Sequence, residues 1–166
     1  KASADEMAYV REVADRLGLP ITEVGKAYAG LTAATKGSAV EGAATREVFE
    51  AVARSMSVAG KSSAETQNAL LALSQMASKG VISMEELRGQ LGEALPGALT
   101  AVANGFGITT EQLIKLVETG KLTSEELFPA LAQGLNSLYG ASGELGAQTE
   151  TLTQRWNHFK NAVAEV

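Results

Sequence analysis

The stretch that decides the fold is Gly80-Val81-Ile82-Ser83-Met84-Glu85-Glu86-Leu87-Arg88-Gly89-Gln90-Leu91-Gly92-Glu93-Ala94-Leu95-Pro96-Gly97. Gly80 ends whatever precedes it. Ser83 with Glu86 three residues later is the pattern of a capping box, in which the serine oxygen accepts an exposed backbone N–H and the glutamate reaches back to the serine N–H. Met84, Leu87, Leu91 and Leu95 recur at spacings of three and four, one apolar stripe along one helix face. Glu85, Arg88, Gln90 and Glu93 fall off that stripe, where water solvates them. Pro96 lacks an N–H and restricts Leu95 before it, so the helix is expected to end or kink there, with Gly97 completing the corner.

The same instruction recurs downstream. Gly107-Ile108-Thr109-Thr110-Glu111-Gln112-Leu113 and Gly120-Lys121-Leu122-Thr123-Ser124-Glu125-Glu126-Leu127 repeat the order glycine, apolar residue, hydroxyl cap, glutamate, leucine. Ile82, Ile108 and Leu122 each precede a cap and suit a hydrophobic staple onto the first turn. The copies are unequally spaced, which excludes a solenoid repeat. They describe short helices joined by tight corners.

Working outward, 2–17 reads as a helix with Met7, Val10, Ala14 and Leu17 on one face, stopped by Gly18. Thr22 is expected to open a second helix through Lys36, where Gly25 and Gly30 suggest a close crossing with a neighbour. A third runs from near Val40 to Ala59 with Ala44, Val48, Ala51, Val52, Ser55 and Ala59 on a narrow face. Ser62 and Glu65 form another capping box, opening a fourth helix to Lys79 that buries Leu70, Leu73, Met76 and Ala77, with Leu71 near the same face. After Pro96 come a short apolar helix closed by Gly105-Phe106-Gly107, a helix from Thr109 to Gly120, and one capped by Thr123 with the stripe Leu127, Leu131, Leu135 and Leu138. Pro129 is expected to kink or restart that last helix.

From Glu144 the pattern changes. Leu145, Thr149, Leu152, Trp156, Phe159 and Val163 step alternately by four and three, a heptad seam. The fold class is therefore all-α. A compact bundle of short helices with Gly, Pro and capping-box corners is expected over 1–143. Over 144–166 comes the start of a longer heptad-patterned helix that continues beyond Val166, with Leu152, Trp156, Phe159 and Val163 as its helix-partner seam.

The totals set limits. A chain of 166 residues with 14 basic and 19 acidic side chains carries a net charge of −5, which gives no basic footprint for direct nucleic-acid binding. No cysteine is present, so disulfides and thiolate chemistry are excluded. The longest uncharged stretches contain proline and several glycines, and no membrane span is expected in them. Without an initiator methionine or a signal-peptide layout, the chain reads as a piece of a longer protein.

Reactive constellations are sparse. Glu85, Glu86 and Glu93 invite a paired-carboxylate reading of the glycosidase kind, but Glu85 and Glu86 diverge around the helix, Glu86 is already accounted for as a cap and Glu93 as part of a solvated face. His158 stands alone beside Trp156 and Phe159, and one histidine does not make a multi-histidine metal site. Met7, Met56, Met76 and Met84 are scattered like core filler. No glycine corner matches a phosphate loop. Neither an enzyme nor a cofactor or metal site is expected; the residues alone describe a helical module.

Leu73-Ser74-Gln75-Met76-Ala77-Ser78-Lys79-Gly80, then Ser83 through Glu93, then Leu95-Pro96-Gly97 resemble the tape measure proteins of long-tailed bacteriophages. Leu116 through Leu122, Leu127-Phe128-Pro129 and the run from Ala27-Tyr28 to Lys36-Gly37 look like the same family. Gly89 stands where a larger polar residue is more usual. Ser83, Glu86, Arg88, Glu93, Pro96 and Gly97 carry the motif. The resemblance implies a structural protein that lies within the virion tail tube and sets tail length. It also implies assembly in the bacterial cytoplasm, with tail tube subunits and tail assembly chaperones as partners, and the heptad suggests self-association. Two other readings stay open at this point: a peptidoglycan-degrading module of a tail protein, and a helical adaptor unrelated to phage.

Overall fold

A computed structural model of the chain describes residues 4–140 and 152–164, and all statements below concern those residues. Eight α-helices occur among them: α1 (Ala4–Leu17), α2 (Ile21–Thr35), α3 (Ala43–Val58), α4 (Ser63–Lys79), α5 (Ala98–Phe106), α6 (Thr110–Glu118), α7 (Ser124–Tyr139) and α8 (Leu152–Ala164). Between α4 and α5, Glu85–Gly92 forms a π-helix. The fold is all-α, and the sole pairing of strand type among the described residues is an isolated antiparallel bridge from Val81 to Thr123. The two bonds that make it, Ile82 N–H to the Leu122 carbonyl at 2.8 Å and Ser124 N–H to the Gly80 carbonyl at 3.0 Å, clamp the corner before the π-helix onto the start of α7. Of the heptad positions, Leu145 and Thr149 lie outside the described residues.

Local chemistry places most helix ends. Ser62 with Glu65 and Thr123 with Glu126 form complete capping boxes; at α6 the pair is Thr109 with Gln112. Gly18, Gly80, Gly107 and Gly120 take positive φ between 68° and 78° at helix ends, where a Cβ would be strained. Two helix starts differ from expectation. α2 opens after Pro20 rather than at a Thr22 cap, because proline's fixed φ already suits the entry. α3 starts after Gly42 rather than near Val40.

One hydrophobic core runs from Val10 to Tyr139. α3 is buried on most sides (Val48, Phe49, Val52, Ala53, Ser55 and Met56 are fully enclosed) rather than along the narrow face expected for it. It lies against α7, which also carries α5. α7 runs unbroken through Pro129. Gly25 and Gly30 do not mark the close crossing: a Cβ there would meet only Val10 Cγ1 at 3.6 Å and Ser74 Oγ at 3.7 Å, ordinary contacts. The close crossing is between α5 and α7. A Cβ on Gly105 would lie 2.0 Å from the Ala130 carbonyl oxygen, and one on Gly134 would lie 1.8 Å from that of Ala101.

At the other end, Tyr28 and Phe49 meet edge to face at 4.9 Å with Tyr9 tilted against both. Arg46 lies 4.3 Å above the Tyr9 ring, donates to the Tyr28 hydroxyl at 3.2 Å and pairs with Glu6 at 2.8 Å. This ties α1, α2 and α3 together. Three side chains sit opposite to expectation: Met7, Ala59 and Leu71 are solvent-exposed rather than packed on α1, at the end of α3 and on α4.

Candidate interaction surfaces

The motif stretch does not form the regular α-helix its spacing predicts. Gly89 and Gly92 lower the α-helical preference of this segment, and Gly92 lacks the Cβ that would crowd the Leu87 carbonyl oxygen at 3.2 Å. Leu87, Leu91 and Leu95 still reach the core. The expected capping box is replaced by another arrangement. The Ser83 hydroxyl donates to Glu86 Oε2 at 2.7 Å, and the residue before the π-helix, Met84, makes no side-chain cap. Glu86 is 1% exposed and receives Lys79 Nζ from α4 at 3.0 Å. It is therefore a buried cross-link between α4 and the π-helix.

Burial pushes the Glu86 carboxyl up, but the Ser83 hydroxyl and the Lys79 ammonium outweigh it and hold the group below the ordinary glutamate value. Replacing Lys79 by methionine leaves this carboxylate with Ser83 alone. We expect a loss of about 1–2 kcal/mol, modest because Lys79 is largely exposed. Adding Glu86→Gln should recover most of it, as chemical denaturation of the two variants would show.

Glu6, held down mainly by the Tyr28 hydroxyl and then by Arg46, and the capping glutamates Glu65 and Glu126, held down by the N-cap backbone N–H, shift the same way. A folded-state pKa below the unfolded one stabilises above the unfolded value, about 4.3, and that contribution is lost as pH falls through the folded value. The thermal midpoint should therefore stay level from neutral pH down to about 5 and drop below about 4.

The remaining motif residues divide by role. Pro96 and Gly97 form the joint into α5, where the Tyr139 hydroxyl of α7 donates to the Pro96 carbonyl at 3.0 Å and Gly97 takes a φ of 90°. Arg88 and Glu93 are exposed. Glu86 and Glu93 line two adjoining depressions. One, about 650 Å³, lies between the end of α2, α4 and the π-helix and includes Gly30, Ala33, Lys79, Glu85 and Glu86. The other, about 410 Å³, includes Glu65, Asn68, Gly89, Glu93 and Ala94. They share Leu71, Gln75 and Gln90, so together they make one trough along α4. Leu71 is 55% exposed in it. No periodicity in the sequence announces this trough.

A second surface lies on α8. Its polar side faces the body: Asn161 Nδ2 donates to the Leu19 carbonyl at 2.7 Å, Asn161 Oδ1 accepts from the Ile21 N–H at 3.3 Å, and His158 Nε2 bonds the Asp15 carbonyl at 2.8 Å. Trp156, Phe159 and Val163 are consequently turned outward, 58–59% exposed, with the two rings stacked at 5.7 Å. These three seam positions thus face away from the body. Among the described residues no group of three metal-ligating side chains gathers, and no helix is long and apolar enough to cross a membrane.

The model of the tape measure protein family matches residues 1–166. The chain belongs to the tape measure protein family. It is also 31% identical over 140 residues to a probable tape measure protein of Salmonella phage Felix O1 (isolate Felix O1-VT1), covering 84% of this chain and 19% of that relative. A reading unconnected with phage, the unrelated adaptor, is thereby set aside. This tape measure segment has no match among solved structures.

Proposed function

We propose that this segment is a structural piece of a phage tail tape measure protein that acts in tail assembly and tail-length determination through protein–protein contacts. The observation that carries the proposal is the family match over the whole chain. The exposed trough and the outward α8 stripe supply surfaces suited to contact. Tail tube subunits and tail assembly chaperones are the proposed partners, with assembly in the bacterial cytoplasm and a final place inside the tail tube. Residues 1–143 act as the compact unit and 144–166 as the start of a longer heptad helix, with Leu152, Trp156, Phe159 and Val163 as its contact seam. Self-association through that helix belongs to the same reading.

A structural role is also what the side chains suit. Glu86 is buried with its Oε2 held by Lys79 and Ser83, which gives no support to a peptidoglycan-degrading site. Pull-down of tail tube subunits and chaperones by the purified chain tests the proposal, alongside a cell-wall turbidity assay. Capture of either partner with no clearing is the expected result. Clearing that Glu93→Gln abolishes, with no capture, would overturn it.

A further inference from the structure

The two unpartnered surfaces are complementary, and we infer that the α8 stripe of one copy docks into the α4 trough of a second copy, a head-to-tail contact. The inference deepens the contact role proposed above by naming what the stripe meets.

Charge is the first argument. Among the described side chains of α8, Lys160 is the one charged group and no carboxylate occurs, in a chain of net charge −5. The heptad places Lys160 beside Phe159 on a flank of the seam, at the e position. Two such helices side by side and antiparallel set Lys160 against Lys160, so the seam is a poor match for itself. The trough offers the opposite sign. Its walls carry Glu65, Glu85, Glu86 and Glu93 against a single lining cation, Lys79, which is bound to Glu86. Glu65 also has Lys61 at 3.7 Å; Glu85 and Glu93 are exposed.

Shape is the second argument. The trough follows α4 from Glu65 to Lys79, about 21 Å, and the 13-residue α8 is about 20 Å long. Its walls are small, with Gly30, Ala33, Gly89 and Ala94 leaving room for large side chains, and its floor holds the exposed Leu71 as an apolar partner for Trp156. Position is the third. Asn161 fixes α8 at the first residue of α2, whereas the trough begins at the far end of α2, around Gly30. Stripe and trough are different patches on one chain, so the contact is heterologous and repeats from copy to copy.

Two variants test this by light-scattering mass and sedimentation of the purified chain. Trp156→Asp spoils the stripe and leaves the trough; Leu71→Asp does the reverse. Both positions are exposed, so helical circular dichroism should match wild type, and Phe159→Asp and Ala33→Glu serve as second variants if it does not. Wild type is expected to grow in mass with concentration. Each variant alone should lose association about tenfold or more. An equimolar mixture of the two should form a pair that stops at two chains. Three results would overturn the inference: Leu71→Asp self-associating like wild type, which marks stripe-to-stripe pairing; wild type remaining monomeric; or Trp156-dependent binding only to anionic lipid vesicles, unaffected by Leu71→Asp. None of these alters the pull-down result on tail tube subunits, so the two readings fail separately.

Discussion

Gly134→Ala is expected to be the most damaging single methyl group added to this protein. The new Cβ would sit 1.8 Å from the Ala101 carbonyl oxygen, and the atoms around that oxygen are backbone of α5, which cannot rotate away as a side chain would. Gly105→Ala meets the same obstacle from the other helix, at 2.0 Å from the Ala130 oxygen. Relief requires α5 and α7 to separate, which opens the core that Ala98, Ala101 and Val102 of α5 share with Leu131 and Leu135 of α7. We expect a loss of about 3 kcal/mol or more, at or beyond the upper end for overpacked cores, and a protein that is partly unfolded at 37 °C. Gly25→Ala is the control. Its Cβ meets only a methyl group at 3.6 Å, and the helix gains up to about 1 kcal/mol. Thermal melts of the three variants check both signs.

Phe49→Ala should come second. The ring is fully enclosed, edge-on to Tyr28 at 4.9 Å and tilted to Tyr9 at 6.3 Å. Its removal leaves a cavity where α1, α2 and α3 meet and strips the ring cluster that Arg46 binds. The expected cost is about 3–5 kcal/mol, with aromatic contacts adding to the cavity cost. Phe159→Ala removes the same side chain from a site 59% exposed, and should move monomer stability by no more than about 0.5 kcal/mol. Denaturant titration of the two variants therefore separates a core phenylalanine from a contact phenylalanine of identical chemistry.

The difference between those two phenylalanines shows where sequence reading stops. Caps and stops are written within four residues, so Ser62–Glu65, Thr123–Glu126, Gly18 and Gly80 are legible as local chemistry. The heptad tells that Trp156, Phe159 and Val163 share a face, but not which way that face points. Asn161, buried on the opposite side, decides that by docking onto the α1–α2 corner, and asparagine on a helix surface carries no such announcement. The α5–α7 crossing is hidden for a related reason. Gly105 beside Gly107 reads as a helix stop, yet it is a helical residue whose missing Cβ matters only because Ala130 lies against it.

At Ser83 and Glu86 the spacing predicts a contact but not its form. Ser83 and Glu86 do bond each other, but through a buried carboxylate linked to Lys79 rather than a reciprocal cap, because the segment winds as a π-helix. Spacing cannot distinguish the two: Leu87, Leu91 and Leu95 reach the core in either winding. The π-helix also forms one wall of the trough.

The most direct test of a contact role is electron microscopy of tails assembled by a phage whose tape measure protein carries this segment, comparing wild type with Leu71→Asp plus Trp156→Asp. With the fold retained, the account predicts that the altered segment gives few tails or tails of abnormal form. Normal yield of tails of normal length from the doubly altered chain would contradict it.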